Sequence, residues 1–218
     1  MTSIFITRDI DEAVWKSALP TSVTVHGQSL LHIEPLAFDM PAADWVFFYS
    51  KNGVRHFFDR YAGQLQPYRW AAMGPATAAK LAEYVIEVDL IGDGTPAGTA
   101  AALDLAVSSA DRICYVQAEQ SRTSVQSLST HPHAHEVVVY RNTPITDVPG
   151  AKFDILIFTS PMNAETYIRH RPVDNSTVIA IGATTQKTLH ELGVSRVLTP
   201  ESPTEQSIMT LLAAILAS

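Results

Sequence analysis

The sequence predicts an α/β protein of two similar domains, each a parallel sheet with helices on both faces, one inserted into the other. The first observation is the alternation of short apolar runs, rich in Val, Ile and aromatic residues, with stretches of helical spacing along the chain. That is the pattern of βα units built on strands buried on both faces. The second is an internal repeat. Phe48-Tyr49-Ser50 and Phe158-Thr159-Ser160 stand 110 positions apart, and Gly74-Pro75-Ala76-Thr77 and Gly182-Ala183-Thr184-Thr185 stand 108 apart. Thr95-Pro96 and Ser202-Pro203 are 107 apart. The third is that Ile113-Cys114-Tyr115-Val116 has its counterpart only at the opposite end, in Ile4-Phe5-Ile6-Thr7, 109 positions on when the count runs from residue 218 to residue 1. A repeat that wraps around the termini implies one discontinuous domain, residues 1–33 with 142–218, and one inserted domain, residues 37–137. Residues 32–36 and 136–141 are then extended crossings, expected to pair as a two-stranded ladder.

Each element has a local reason. Residues 4–7 are a strand because β-branched and aromatic residues suit a sheet interior. Residues 30–35 form an extended run stopped by Pro35. The aromatic strand 45–49 leads through Ser50, a good helix cap, into helix 52–61. Strand 69–73 ends at Gly74-Pro75, and helix 76–84 starts behind that proline. Helix 98–108 follows Thr95-Pro96 in the same way. Strands 113–116 and 137–140 flank a Ser/Thr/Gln-rich stretch, residues 117–135, that reads as an exposed loop or helix end. Strand 155–158 and helix 162–170 repeat the 45–61 pair behind Ser160-Pro161. Strand 177–181, helix 185–192, strand 197–198 and helix 204–217 complete the second half.

Composition narrows the function. With 15 Lys+Arg against 22 Asp+Glu the net charge is −7, which argues against nucleic acid or an anionic membrane as partner. The single cysteine, Cys114, excludes an internal disulfide and a cysteine-built zinc or iron–sulfur site, and fits a reducing compartment. No run approaches the ~18 apolar residues of a membrane span. The start, Met1-Thr2-Ser3-Ile4-Phe5-Ile6-Thr7-Arg8, lacks the basic region of a signal peptide. These features lead us to expect a cytoplasmic protein without a metal, membrane or nucleic-acid partner.

In parallel α/β sheets, ligands bind beyond the carboxyl ends of the strands. The repeat places a polar turn and a helix start there six times, at Ser50, Gly74, Thr95, Ser160, Gly182 and Ser202. Helix starts present unpaired N–H groups and partial positive charge, which suit carboxylates or phosphates. Such residues also serve simply as caps. His131-Pro132-His133-Ala134-His135 is a possible metal cluster, but it has no nearby Asp or Cys. Neither a P-loop, a Gly-x-Gly-x-x-Gly turn nor a Gly-x-Ser-x-Gly elbow occurs.

Taken together, Ile6-Thr7-Arg8, Phe158-Thr159-Ser160-Pro161 with its copy Phe48-Tyr49-Ser50-Lys51-Asn52, Ile181-Gly182-Ala183-Thr184-Thr185 with its copy Met73-Gly74-Pro75-Ala76-Thr77, and Pro200-Glu201-Ser202-Pro203-Thr204 resemble the uroporphyrinogen-III synthase family. The resemblance covers most of the chain. It implies two flavodoxin-like three-layer domains joined by a β-ladder. The implied activity is that of a lyase of porphyrin and haem biosynthesis, which cyclises hydroxymethylbilane to uroporphyrinogen III. Ring D is inverted and water is lost, in the cleft between the domains, with no cofactor and no metal. The implied protein is a cytoplasmic monomer with a small polycarboxylate substrate. The family often carries an Arg-Gly-Glu turn where this chain has Gln117-Ala118-Glu119, and Arg122 follows as a candidate carboxylate partner.

The helix starts and the resemblance nominate Thr7, Arg8, Ser50, Lys51, Asn52, Thr77, Arg122, Ser160, Pro161, Met162, Thr184 and Thr185 for substrate binding. Arg8, Lys51, Arg122 and Arg141 also supply local positive charge near predicted strand ends, against the net negative charge of the chain. No His, Asp or Glu recurs at the strand ends, which leaves hydroxyl groups as proton donors. Tyr140 ends a crossing strand and matches the tyrosine that is the family's usual candidate for assisting departure of the substrate hydroxyl. A phenol of ordinary pKa near 10 is protonated at neutral pH and donates without tuning. Two other readings share the fold: a two-domain module that binds a small anion without chemistry, and a flavin- or nucleotide-binding protein.

Overall fold

The computed structural model describes residues 1–61, 67–121 and 123–217. Along the chain the elements are β1 (Thr2–Ile6), α1 (Glu12–Ala18), β2 (Val23–Gly27), β3 (Leu31–Pro35), β4 (Trp45–Phe48), α2 (Lys51–Arg60), β5 (Arg69–Ala72), α3 (Pro75–Leu81) and β6 (Leu90–Ile91). They continue as α4 (Pro96–Ala106), β7 (Ile113–Ala118), β8 (Ala134–Pro144), β9 (Ile155–Phe158), α5 (Pro161–His170), β10 (Thr177–Ala180), α6 (Ala183–Glu191) and α7 (Glu205–Leu216). The chain divides into two compact units, Met1–His32 with Thr143–Ser218, and Ile33–Asn142.

In the first unit the sheet order is β10-β9-β1-β2, all parallel, and Leu198 bridges Ile179 at the β10 edge. Counting strands by chain order within the unit, this is 2-1-3-4-5, the flavodoxin-like order. The second unit has β8-β7-β4-β5-β6, also parallel, with β3 beside β8. Its spatial order is the same, but the chain starts at the third strand and ends on the second. The two crossings lie side by side and run in opposite senses, as the Leu36 N–H to Val139 carbonyl bond and the Ile145 N–H to Leu30 carbonyl bond show, both 3.0 Å.

Strand alternation divides each core into two layers. In the first unit Ile4, Ile6, Ile155 and Ile157 face Trp15 of α1 and Ile208 and Leu212 of α7, whereas Phe5, Leu156 and Phe158 face Ala164, Tyr167 and Leu189 of α5 and α6. In the second unit Val46, Phe48, Cys114 and Val116 meet Val54, Phe57, Ala78 and Leu81 of α2 and α3. Trp45, Phe47, Ile113 and Tyr115 meet Ala100 and Leu103 of α4. Each fully buried large side chain contributes about 1.5–3 kcal/mol, so the sheets are held from both faces.

Three elements are absent from the sequence reading. Helix α1 is only seven residues long, capped by Asp11, and a helix that short shows too few turns to register a period. Strand β2 alternates buried and exposed residues at a sheet edge, so it lacks the continuous apolar run that marks the inner strands. Strand β6 has two residues. Residues 197–198 form a single bridge rather than a strand. The stretch 117–135, expected as an exposed loop or helix end, is partly core: Gln117 lies in β7 and is buried, Val125 is buried, and His135 pairs with Cys114 across β7 and β8.

Candidate functional site

The repeated helix starts are matched in backbone geometry. Ser50 caps α2 at φ −154°, ψ 160°, and Ser160 caps α5 at φ −160°, ψ 158°. Each hydroxyl accepts the third N–H of its helix, Gly53 at 3.1 Å and Asn163 at 3.2 Å. Gly74 and Gly182 start α3 and α6 at φ −172° and −173°. A Cβ on Gly74 would stand 3.0 Å from the Gly94 Cα, so the close approach of two turns selects glycine there. Thr95 and Thr204 cap α4 and α7 and accept from Gly98 and Ser207. These caps stand 109 positions apart, so Thr204, not Ser202, is the structural match of Thr95.

The switch point of the second unit lies between β7 and β4, which take the places of strands 1 and 3 in the 2-1-3-4-5 order. There Ser50 Oγ stands 3.2 Å from the Tyr140 hydroxyl. Tyr140 is 6% exposed, and its ring packs against the buried His56 ring of α2, with centroids 5.3 Å apart. Burial raises the Tyr140 pKa above the ordinary phenol value, and the Ser50 hydrogen bond partly opposes it. Burial lowers the His56 pKa. At neutral pH the pair is therefore an intact phenol against a neutral imidazole. Lys51 and Asn52 are exposed in the first turn of α2, where their N–H groups have no intrahelical acceptor. Among the described residues Lys51 has no ion-pair partner. Thr77, in the first turn of α3, is 7% exposed. Arg122 lies outside the described residues.

The equivalent point of the first unit, between β1 and β9, is closed by its own hydrogen bonds. Thr7 is fully buried. Its Oγ1 accepts the Thr159 N–H at 3.0 Å, and the Thr159 hydroxyl donates to the Thr7 carbonyl at 2.9 Å. Ser160 Oγ also accepts from Asn163 Nδ2 at 2.9 Å, and Asn163 Oδ1 accepts the Leu30 N–H at 2.8 Å. Arg8 is held by Glu205 in the first turn of α7, and burial lowers its pKa, although a guanidinium remains charged. Pro161 and Met162 are half-buried, Thr184 is exposed and Thr185 is buried. Arg141, a cation of the crossing strand, is taken up by a two-pronged pair with Glu34 at 2.8 and 2.9 Å.

Thus the structure brings Ser50, Lys51, Asn52 and Tyr140 together at one strand edge, and Thr7, Arg8, Ser160, Pro161 and Met162 at another. Thr159 and Asn163 stand within the repeated turns of the sequence without being nominated there, and sequence reasoning passed over His56. His56 was accessible to it, because the buried face of α2 runs through Gly53, His56 and Phe57 at helical spacing. The histidine run is not a ligand set: His131 Nε2 lies 2.7 Å from the Ser108 carbonyl, and no group of three or more His, Cys, Asp or Glu among the described residues suits a metal. Two cavities of the first unit, of about 500 and 900 Å³, share Asp174, Asn175 and Ser176 and open at the amino ends of β9 and β10. They lie on the sheet edge away from the strand ends where ligands bind in this fold. No helix among the described residues is long and apolar enough to cross a membrane.

Comparison with known proteins agrees with this architecture. The model of a family described as uroporphyrinogen-III synthase HemD matches residues 18–210. No curated protein matches the sequence. Among solved structures, uroporphyrinogen-III synthetase from Helicobacter pylori is similar with a TM-score of 0.77 and 19% identity, covering 99% of this chain and 100% of that one. A mutant uroporphyrinogen III synthase from the extremely thermophilic bacterium Thermus thermophilus is similar with a TM-score of 0.62 and 15% identity, covering 100% of both chains.

Proposed function

Because this chain belongs to the uroporphyrinogen-III synthase family, we propose that it converts hydroxymethylbilane into uroporphyrinogen III, with inversion of ring D and loss of one water. It is an enzyme of tetrapyrrole and haem biosynthesis, and the finer assignment is to the lyases. The family match across residues 18–210 carries the reading. The chain is proposed to act as a cytoplasmic monomer, in keeping with its single, buried cysteine.

The geometry supports Tyr140 as the group that assists ionisation. The Gly53 N–H occupies one lone pair of Ser50 Oγ, so the Ser50 hydrogen can turn to the Tyr140 oxygen 3.2 Å away. The phenol hydrogen is then free for the substrate hydroxyl, which leaves as water and generates the azafulvene cation. The substituted α-carbon of ring D attacks that cation to give a spiro intermediate. The bond from ring D to the ring C methylene then breaks to form a second azafulvene cation. The free α-carbon of ring D closes the macrocycle in inverted orientation and loses the proton that regenerates the phenol, so the net change is one water. General acid help is worth about 10²–10⁴-fold, and the electron-rich pyrrole sets the lower end here. Substrate carboxylates are received by the N–H groups of Lys51 and Asn52 and by the Lys51 ammonium, with the helix starts at Thr77, Met162 and Thr184 as further receivers. The test is to supply freshly made hydroxymethylbilane, oxidise the product and identify the uroporphyrin isomer. Isomer III is expected. Isomer I alone, the spontaneous product, would overturn the reading in favour of a non-catalytic anion-binding module.

A further inference from the structure

Gln117 is a buried side chain with an unfilled hydrogen-bonding role at the second unit's switch point. It is 3% exposed, and its Oε1 is buried without a partner among the described residues. Register places it there: Phe48 pairs with Val116, so Tyr49 and Gln117 are the next neighbours on β4 and β7. Alternation puts both on the face of Phe47 and Tyr115. Tyr49 is itself engaged, accepting the Gln126 N–H at 3.0 Å. A buried carboxamide oxygen left unpaired costs free energy and calls for an explanation.

The first unit shows what this position does. Phe47 stands three residues before the Ser50 cap and pairs with Tyr115, while Ile157 stands three residues before the Ser160 cap and pairs with Ile6. Gln117 is therefore the counterpart of Arg8, each two residues beyond the paired strand residue. Arg8 ion-pairs with Glu205 through its terminal guanidinium nitrogen, with its Nε buried and unpaired, whereas the Gln117 oxygen has no partner at all among the described residues. A neutral amide cannot hold a carboxylate as a guanidinium does, but its oxygen accepts from an N–H donor. The proposed substrate carries four pyrrole N–H groups. We infer that Gln117 is a substrate-binding residue whose Oε1 accepts a pyrrole N–H of the bilane at the carboxyl ends of β4 and β7.

This rests on the synthase reading, and the experiment separates the two. Steady-state kinetics with fresh hydroxymethylbilane are compared for wild type, Gln117→Leu and Gln117→Met, with thermal unfolding measured beside them. A ground-state hydrogen bond retained in the transition state appears in KM rather than kcat. The expected result is a KM raised roughly three- to tenfold in both variants, with kcat little changed. Tm should be unchanged or raised, because an unpaired buried oxygen has been removed. KM within about twofold of wild type in both variants, the result if an ordered water is the oxygen's natural partner or if the side chain only packs, overturns the inference. The Met variant, of similar length and flexibility, decides the matter if the Leu variant does not fold. A wild type that makes only isomer I overturns the synthase reading instead.

Discussion

Helices α2 and α5 are capped by the same residue type, serine, in nearly the same backbone conformation, yet their surroundings differ. Behind Ser160 the third helical residue is Asn163, which is buried, donates to Ser160 Oγ and accepts from the Leu30 N–H. Behind Ser50 it is Gly53, which offers no side chain, and the free side of the serine meets Tyr140 instead. Beside them, the first unit seals its strand ends with the reciprocal Thr7–Thr159 bonds. The second leaves Gln117 Oε1 without a partner among the described residues. A duplicated scaffold thus keeps the main-chain device, the capped helix start, while its side chains differ: the second unit sets a phenol against its serine, and the first closes its strand ends with its own hydrogen bonds. A site that spends most of its hydrogen bonds internally is stable and has little left to offer a substrate, although Arg8 Nε in the first unit is also buried without a partner.

The largest effect expected from that contrast belongs to Tyr140. Tyr140→Phe keeps the ring and its packing on His56 and should lower kcat for isomer III by roughly 10²-fold, with Tm nearly unchanged. An unaltered kcat would return Tyr140 to a packing role and erase the functional difference between the units. Next comes Asn163→Ala, which strands the Leu30 N–H and should cost about 1–3 kcal/mol of stability. Denaturant unfolding measures that loss, and kcat should remain near wild type. A fall in kcat with stability intact would make the first unit the reactive one. The smallest effect falls within a matched pair. Ser50→Ala and Ser160→Ala each remove a cap and should each cost about 1 kcal/mol. Only Ser50→Ala should also slow turnover, by about threefold to tenfold, because only Ser50 orients the phenol. Equal kinetic effects in the two variants would show that the serines act only as caps.

Much of the frame was readable because it depends on neighbours in sequence. The runs ending in Phe48 and Phe158 had to be inner parallel strands, since they are apolar without alternation. Ser50, Gly74, Ser160 and Gly182 marked helix starts by their own chemistry. Helix α1 and strand β2 were not readable, one being too short for a period and the other lying at an edge. Arg8 illustrates a different limit. Its position after a strand was visible, but its ion pair with Glu205 joins residues almost a whole chain apart.

The parallel α/β class, the placement of the inner strands and longer helices, and the hydroxyl-bearing turn that nominates Ser50 were all present in the residue order. Those properties follow from backbone propensity, apolar periodicity and capping, all of which act over a few residues. Tyr140, by contrast, was nominated by the family resemblance and lies inside β8 rather than at a strand end. It took the folded chain to bring Tyr140 to Ser50 across 90 residues, to spend Thr7 on Thr159 across 152, and to bury Gln117 with an unpaired oxygen. Each of these depends on the register of one strand against its neighbours. A shift of one residue turns a side chain to the opposite face of the sheet, so no local pattern carries that information.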